Sequence, residues 1–369
     1  MRRHYTESLL IFQLRATVMK IVRPEPLKRL SAAIFAAAGC QEPEAARIAH
    51  YLVESNLVGH DSHGVIRIAT YIKWLGEGKV LANRKLEIVL EADCLAVVDG
   101  GFGFGQTIGE AATKLGIAKA QKAGVAAIAL RNCGHLGRIG DWPTLAAEAG
   151  LVSLHFVNTS GLGILMAPFG GIDRRLSANP VAAGVPMPGR SPLILDMSTS
   201  AIAEGKIRVA FNKGVQTPDG CLIDSQGKPT SDPKVFYGDP PGAILPFGGH
   251  KGYGLGVVTE ILAGALTGGG CSKLGETRLS NGMFSIYLDP GRFAGDEYFQ
   301  REVSGLVEWI KSSRPAAPGG EILIPGEFEE RTLAARSQGI ELDDNTWRQI
   351  VETGESVGLS ALRIAEIVP

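Results

Sequence analysis

The sequence predicts an α/β fold, and three observations support this prediction. Forty-eight glycines and an aromatic content of only 7% in 369 residues indicate a chain with many tight turns. Short apolar segments such as residues 125–130 alternate with stretches of helical periodicity. Several of these segments end in glycine-rich loops that carry a polar side chain, an arrangement typical of α/β proteins. A hydrophobic content of 45% can build a large core, which we expect to be divided between two subdomains.

Charge and cysteine usage narrow the class of protein further. A net charge of -1 and a pI near 6.7 provide no basic field, so we expect neither a nucleic-acid nor an anionic membrane partner. No apolar run approaches the roughly 20 residues that a membrane span requires. The five cysteines are odd in number, scattered, and never spaced as a metal-binding pair. This usage predicts a reducing, cytoplasmic location.

The chain divides into four segments. Residues 1–18 begin with Met1-Arg2-Arg3 and an apolar run, but no small-residue cleavage site follows, so we interpret them as an extension without a role and Met19 as a plausible start. Residues 19–80 have helical periodicity and predict the first part of a helical domain. Residues 81–249 predict an α/β domain. Residues 250–369 predict the second part of the helical domain, which closes the fold.

Residues 59–71 contain the densest group of reactive side chains. Asp61 and Ser62 are favourable N-caps for a helix that would follow them. On that helix His63, Arg67 and Tyr71 would be spaced at i, i+4 and i+8 and share one face. An imidazole and a guanidinium at the positive end of a helix dipole suit a small carboxylate. A capped surface helix with a solvated arginine is an equally acceptable interpretation of this stretch alone.

The glycine cluster at residues 100–109 lies between a predicted strand and a predicted helix, as in dinucleotide-binding folds. It cannot be aligned with G-x-G-x-x-G, and residues 111–140 contain no acidic residue to bind a ribose. The sequence therefore excludes an ordinary Rossmann fingerprint here. A glycine-rich turn into a packed helix is favoured.

Further polar residues follow predicted strands. His135 stands between glycines, where a lone histidine is more often structural than catalytic. Thr159 and Ser160 suit phosphate or ribose contacts. Asp196 could raise the pKa of a histidine or cap the next helix, and the cap is favoured. Lys251, flanked by a glycine at a helix start, suits a pyrophosphate but lacks the Walker spacing.

Seven motifs in one order carry a resemblance to a known family. They are residues 59–64 (GHDSHG) with Arg67 and Tyr71, 134–137 (GHLG), 168–171 (PFGG), 179–180 (NP), 196–200 (DMSTS), 251–254 (KGYG) and 325–327 (PGE). Together they resemble the malate/L-lactate dehydrogenase family of non-Rossmann type. Its relatives include ureidoglycolate, sulfolactate and diketogulonate oxidoreductases and piperideine-2-carboxylate reductases. The resemblance extends over nearly all of the chain from Met19 onwards.

This resemblance implies both a fold and an activity. The fold would be a non-Rossmann NAD(P)-binding domain of the L-sulfolactate dehydrogenase type, with a helical, discontinuous second domain. The activity would be NAD(P)-dependent interconversion of a 2-hydroxy acid and a 2-oxo acid in a homodimer. Because no basic cluster marks a 2'-phosphate site, we favour NAD over NADP.

The family motifs also imply residue roles. Ser62 and His63 would lie at the substrate, with His63 supported by Asp196 as proton donor and acceptor. Arg67 would bind the substrate carboxylate, Tyr71 would line the pocket, and His135 would be a second catalytic histidine. No metal is expected. The expected cofactor-binding residues are Thr159, Ser160, Asn179, Asp196, Met197, Ser198, Lys251, Gly252, Gly326 and Glu327.

Several alternatives remain open at this point. The sequence does not rank His63 against His135 as the principal acid/base. Reduction of a cyclic imine, such as a piperideine- or pyrroline-2-carboxylate, is the nearest competing reaction. A metal-dependent hydrolase or lyase that uses His60, Asp61 and His63 is a more remote hypothesis. A catalytically silent binding protein is disfavoured by the number of reactive residue types.

Overall fold

The computed structural model describes residues 20–369, so the expected extension at residues 1–18 lies outside the described residues. Residues 20–369 form twelve strands and eleven α-helices. The strands are β1 (Lys20–Val22), β2 (Glu87–Ala92), β3 (Leu95–Asp99), β4 (Val125–Cys133), β5 (Val152–Ser160), β6 (Val181–Val185), β7 (Leu193–Met197), β8 (Leu222–Ile223), β9 (Pro229–Thr230), β10 (Ala243–Ile244), β11 (Ser280–Leu288) and β12 (Ile340–Leu342). The helices are α1 (Pro24–Ala37), α2 (Glu42–Leu57), α3 (Arg67–Gly76), α4 (Gly105–Ala123), α5 (Asp141–Glu148), α6 (Glu204–Lys213), α7 (His250–Glu260), α8 (Asp296–Lys311), α9 (Glu327–Arg336), α10 (Asp344–Ser356) and α11 (Ala361–Ile367).

A seven-stranded mixed sheet forms the centre of the molecule, in the order β2-β3-β4-β11-β5-β6-β7. Within it β3 and β4 are parallel, and the other neighbouring pairs are antiparallel. The predicted α/β class is therefore confirmed. The middle strand, β11, comes from residues 280–288, and the apolar residues 284–288 predict a strand there, inside the segment assigned to the second part of the helical domain. No local pattern in the sequence reveals that β4 and β5 pair with it from either side.

The two ends of the described chain build one helical core beside the sheet. Leu27, Leu30 and Ile34 of α1 recur every three or four residues, so they form a single buried stripe. They belong to the same core as Ile350 of α10 and Ile364 of α11. Strands β1 and β12 pair antiparallel next to this core. The C-terminal helices thus support the N-terminal helices that carry residues 59–71.

Helix α4 lies close to the sheet because glycines face it. A Cβ at Gly116 would lie 2.2 Å from a ring carbon of Tyr287 in β11, and one at Gly109 would lie 2.6 Å from Trp142. The sequence predicts the start of this helix at Gly109, and it begins four residues earlier, at Gly105. The glycine cluster before it is therefore a turn into a packed helix, as the sequence favoured.

Two local predictions differ from the structure. The apolar residues 322–324, followed by Pro325 and Gly326, predict a strand and a turn, but they belong to no strand of the described chain. They lead instead to Pro325, whose carbonyl accepts a hydrogen bond from the Ile194 amide at 3.2 Å. Asp196 lies inside β7 and does not cap α6, which begins eight residues later. Among residues 20–369 no helix has the length and apolar character to cross a membrane.

Candidate active site

The segment that carries His63 is a short turn rather than the start of a long helix. Asp61–His63 form a single 3-10 turn, and α3 begins only at Arg67. The break follows from Asn56 of α2, whose Oδ1 accepts a hydrogen bond from the Val65 amide at 2.8 Å. A Cβ at Gly64 would lie 2.1 Å from that oxygen, so the close approach requires glycine. The predicted shared helix face is therefore wrong, although the same side chains still meet.

His63 and His135 face one another as stacked rings. Their centroids are 5.6 Å apart and their planes differ by 3°. The Nδ1 atom of His63 lies 3.1 Å from the Ser62 hydroxyl, and Nδ1 of His135 lies 2.6 Å from the Tyr71 hydroxyl. Neither Nε2 atom has a hydrogen-bond partner within residues 20–369. The two Nε2 atoms are thus the ring positions left for a ligand.

Arg67 stands beside this pair at the start of α3. Its Nε donates a hydrogen bond to the Ser62 carbonyl at 2.6 Å, which fixes the plane of the guanidinium. The two Nη groups have no hydrogen bond or ion pair to another residue of the described chain. Two parallel N–H donors with a fixed plane match the two oxygens of a carboxylate.

Burial lowers the pKa of both histidines. Loss of water lowers the pKa of His63 to about 3, with further repulsion from Arg67, His60 and Arg138. Burial, then Arg67, then His63 hold the pKa of His135 well below its ordinary value. Both rings are therefore neutral near pH 7 and can accept a proton. This overturns the expectation that an aspartate would raise the pKa of a histidine here.

Asp196 supports the site through the backbone rather than through a histidine. Its Oδ2 accepts a hydrogen bond from the Gly140 amide at 2.8 Å. Within the described chain it makes no hydrogen bond or ion pair with His63 or His135. Arg138, on the loop between His135 and Gly140, pairs with buried Asp141 at 2.6 Å. Although burial opposes its charge, Asp141 and then Asp196 hold the pKa of Arg138 above its ordinary value. Asp196 thus fixes β7 against the loop of His135.

Half of the expected cofactor residues lie where β7 ends and α7 begins. The Thr199 amide, next to Met197 and Ser198, donates to the Ala178 carbonyl at 2.9 Å, and the Phe247 amide donates to the Thr199 carbonyl at 3.1 Å. These bonds join residues 197–200 to the loop that precedes Lys251 and Gly252. Lys251 is exposed at the start of α7 and has no ion pair within the described chain.

Asn179 has a different environment from the one expected for a cofactor ligand. It is fully buried, and its Nδ2 donates to the Gly256 carbonyl at 3.0 Å and to Oε2 of Glu260 at 2.7 Å. Its Oδ1 accepts from the Ser177 hydroxyl at 2.6 Å. The side chain is fully occupied in joining its loop to α7, so only its backbone remains for a ligand. Sequence reasoning missed Glu260, because nothing local distinguishes it from an ordinary helical acid.

Thr159 and Ser160 end β5 on the side of His135. Asn281 of β11 donates from Nδ2 to the Thr159 hydroxyl at 2.8 Å. The same residue accepts a hydrogen bond from the Leu136 amide through Oδ1 at 2.9 Å. Asn281 therefore links the end of β5 to the loop of His135. No motif in the sequence identified it.

Gly326 and Glu327 lie at a separate cavity of about 300 Å³, between the β6–β7 connection and α9. Glu327 pairs with Lys311 at 2.5 Å, and this hydrogen bond lowers the pKa of Glu327. Arg190 also lines this cavity and an adjacent one of about 310 Å³. Helix α9 connects this region to the histidine segment, because Glu329 lies 3.2 Å from Nε2 of His60.

The donor set fits an elongated anionic dinucleotide. Lys251 supplies a cation at the positive end of α7, and Ser198 supplies a hydroxyl at the end of β7. By contrast, no group of three His, Cys, Asp or Glu side chains within residues 20–369 has the arrangement of a metal site. His60 pairs with Glu329 while His63 contacts Ser62, so these side chains give the metal hypothesis no support.

Comparison with known proteins gives a consistent result. The model of the malate/L-lactate dehydrogenase family matches residues 22–351. Hydroxycarboxylate dehydrogenase B of Escherichia coli O157:H7 is 41% identical over 333 residues, which are 89% of this chain and 91% of that protein. The structure of sulfolactate dehydrogenase from Methanocaldococcus jannaschii superposes with a TM-score of 0.85 at 38% identity, covering 94% and 99% of the two chains. That of delta1-piperideine-2-carboxylate reductase from Pseudomonas syringae pvar. tomato has a TM-score of 0.79 at 30% identity, covering 90% and 99%.

Proposed function

The chain belongs to the malate/L-lactate dehydrogenase family, and from this premise we propose that it interconverts a 2-hydroxy acid and a 2-oxo acid with NAD(P). One observation carries the proposal. Two stacked, neutral imidazoles stand beside a guanidinium whose Nη groups have no partner in the described chain. That arrangement combines a proton acceptor with a carboxylate clamp, and the substrate class has a hydroxyl and a carboxylate on adjacent carbons.

The carboxylate of the substrate would be bound by Arg67. With Nε held by the Ser62 carbonyl, the two Nη groups would contact the two carboxylate oxygens. In this binding mode the 2-hydroxyl or 2-oxo oxygen would face the Nε2 atoms of the histidines. Ser62 contributes both the carbonyl that orients Arg67 and the hydroxyl that contacts His63.

Proton transfer follows from the neutral state of the rings. In oxidation of the hydroxy acid, Nε2 of His63 or His135 accepts the hydroxyl proton, and in reduction the same atom returns it, a contribution of roughly 100- to 10,000-fold. Arg67 lowers both pKa values by repulsion. A bound substrate carboxylate would offset that charge, so substrate binding would raise the affinity of the histidines for a proton.

A bound nicotinamide would supply or accept the hydride. The residues that would hold the dinucleotide are Lys251 and Gly252 at the start of α7, Asp196, Met197 and Ser198 at the end of β7, Thr159 and Ser160 at the end of β5, the backbone of Asn179, and Gly326 and Glu327 at the cavity beside α9. We propose NAD rather than NADP. The cavity beside α9 is lined by Glu327 and Glu330 as well as by Arg190, so it provides no basic cluster for a 2'-phosphate.

A homodimer is proposed from an apolar surface at the C-terminal end of α7. Val258 of α7, Ile261 in the π-helical turn that follows it and Leu266 directly after that turn are each at least half exposed in the single chain. An exposed apolar surface of this kind is normally covered, and a second copy would cover this one. We further propose a cytoplasmic location, which agrees with five cysteines that are all free. A small-molecule acid is the proposed partner, with no nucleic acid and no membrane.

A panel of substrates tests the proposed function. The purified protein is assayed with NADH and with NADPH against lactate-, malate-, sulfolactate- and aryl-lactate-type 2-oxo acids, and against piperideine- and pyrroline-2-carboxylate. Oxidation of a nicotinamide by a 2-oxo acid supports the proposal. Turnover of cyclic imines alone would favour the imine reductase, for which the Pseudomonas syringae structure is the precedent. Turnover with neither class would contradict both.

A further inference from the structure

The hydrogen-bond path from His135 continues past Tyr71 into the core. We propose that Gln106 is a positioning residue that, through the Tyr71 hydroxyl, determines which ring nitrogen of His135 carries the proton. The proposal rests on the proposed function, because it concerns His135, one of the two histidines that would transfer the proton. Tyr71 was expected to line the pocket, and Gln106 was not identified from the sequence at all.

The geometry of the path is continuous. Nδ1 of His135 lies 2.6 Å from the Tyr71 hydroxyl, and Nε2 of Gln106 lies 3.1 Å from the same oxygen. Tyr71 and Gln106 are each 1% exposed, so water does not compete for these bonds. Gly105, next to Gln106, approaches the His135 backbone so closely that a Cβ there would lie 2.0 Å from the His135 carbonyl oxygen. The start of α4 therefore holds Gln106 and His135 in one rigid unit.

The Gln106 amide can meet the Tyr71 hydroxyl in either of two orientations. Oε1 of Gln106 is buried and has no hydrogen-bond partner among residues 20–369. Rotating the amide by 180° exchanges the oxygen and the nitrogen at nearly the same positions, so in either orientation one group of the amide contacts Tyr71 and the other is left without a partner. The amide can thus offer Tyr71 either a donor or an acceptor. This choice decides which group donates and which accepts in both hydrogen bonds of the path from Gln106 through Tyr71 to His135.

The two directions of donation leave Nε2 of His135 either with a proton or with a lone pair. If Gln106 donates to Tyr71, the phenol donates to Nδ1, and a neutral His135 carries its proton on Nε2, where it cannot act as a base. If Oε1 of Gln106 accepts the phenol proton, Tyr71 accepts from Nδ1–H, and Nε2 keeps a lone pair. Nε2 can then take the hydroxyl proton of a 2-hydroxy acid, giving an imidazolium whose Nδ1–H bond to Tyr71 is unchanged. Gln106 with its oxygen towards Tyr71 therefore keeps His135 competent as a base.

Variants at Gln106 separate this role from simple packing. Gln106→Glu offers only acceptors, so it should preserve the base-competent direction and stabilise the imidazolium. Gln106→Met removes both polar groups, so the phenol should donate to Nδ1 instead. Thr107→Val, on the next residue of α4, is the matched control because its buried hydroxyl has no partner in the described chain. The titratable groups around His135 are Tyr71, Arg67, His63 and Cys133, and none of them is changed.

The test combines kinetics with nitrogen NMR of histidine-labelled, ligand-free protein, in which His135→Asn assigns the His135 signals. We expect the unsubstituted protein and Thr107→Val to carry the proton on Nδ1, and Gln106→Met to carry it on Nε2 with kcat lowered about 10- to 100-fold at little change in KM. Gln106→Glu should restore the tautomer and move the pH midpoint of kcat upward. Identical tautomers and pH profiles in all variants would overturn the inference. Absence of activity in the unsubstituted protein would instead count against the proposed function, and the NMR result would still decide the tautomer.

Discussion

At the scale of single residues, Arg67 illustrates why the type of cation matters. Its guanidinium is oriented by the Ser62 carbonyl through Nε, so its remaining donors form a planar pair. A lysine could keep the charge but would reproduce neither the bond to Ser62 nor two parallel contacts to a carboxylate.

We therefore predict that Arg67→Lys lowers kcat/KM for the 2-oxo acid about 100-fold, mainly through KM, which corresponds to about 2.7 kcal/mol. The measurement is steady-state kinetics at saturating nicotinamide. Arg363→Lys, which changes an exposed arginine paired with Glu366, is the matched control and should leave the kinetics unchanged. Equal kinetics for the two variants would refute the carboxylate role of Arg67.

At the scale of elements, the start of α4 lies directly against the backbone of the His135 loop. This close approach depends on Gly105, because any side chain there would meet the His135 carbonyl oxygen. Gly305 in α8 has no atom within 4 Å of the place where its Cβ would lie, so it offers a matched comparison within a helix.

Gly105→Ala should destabilise the protein by about 1–3 kcal/mol, as overpacking usually does, and should lower activity further by displacing His135. Gly305→Ala should stabilise it by about 0.5–1 kcal/mol, because alanine restricts the unfolded chain and favours helix. Chemical denaturation and turnover measured on both variants provide the check. A Gly105→Ala variant as stable and active as the original chain would be incompatible with the described packing.

His155 joins β5 and β11 in the middle of the sheet. It is fully buried between the hydroxyls of Ser153 and Ser285, and burial lowers its pKa to about 3 from an ordinary value of 6.5. Between those two values the unfolded chain binds a proton that the folded chain excludes. The free energy of unfolding should therefore fall as pH falls from 6.5 towards 3, by up to about 1.4 kcal/mol per pH unit for this one residue.

This prediction is checked by urea denaturation from pH 7 to pH 4. His155→Gln should reduce the number of protons taken up on unfolding by one, which makes the free energy of unfolding less dependent on pH. The substitution His250→Gln, at an exposed residue, should leave that dependence unchanged. His63 and His135 contribute in the same direction, since burial also lowers their pKa values. A pH dependence that is the same with and without His155 would show that the residue is not neutral in the folded state.

Helix bounds were predictable from the sequence where local periodicity determines them. The apolar periodicity predicts a helix from about Glu42 to Leu57, and α2 has these bounds. The motifs located His63, Arg67 and His135 correctly as neighbours in space. The break before α3 was not predictable, because it depends on Asn56 of a preceding helix. Gln106, Glu260 and Asn281 were missed for a similar reason, since each acts through a partner distant in sequence.

At the scale of the whole molecule, the central strand β11 and the C-terminal helices show that the ends of the chain return to complete earlier elements. The order of the motifs predicted the family and therefore its fold. Local secondary-structure propensity could not predict that fold, because β11 pairs with β4 and β5 across more than a hundred residues of sequence. The molecule also presents the apolar surface of Val258, Ile261 and Leu266, which a single chain leaves exposed.

If that surface is the dimer interface, Ile261→Glu should shift the protein from dimer to monomer. Light scattering coupled to size exclusion measures the mass directly. Leu362→Glu, at a residue that is 79% exposed on α11, should leave the mass unchanged. A dimer unaffected by Ile261→Glu would place the interface elsewhere, and a monomeric starting protein would remove the proposal of a homodimer.

The central claim is that the two histidines and Arg67 hold a 2-oxo acid for reduction by a nicotinamide. It is tested most directly with NADH that carries deuterium at both C4 positions and a 2-oxo acid identified by the substrate panel. We predict that each turnover places one deuterium on C2 of the 2-hydroxy acid product, detected by NMR, and that His63→Asn with His135→Asn abolishes the transfer. A product without deuterium at C2, or transfer that continues in the double variant, would contradict the account.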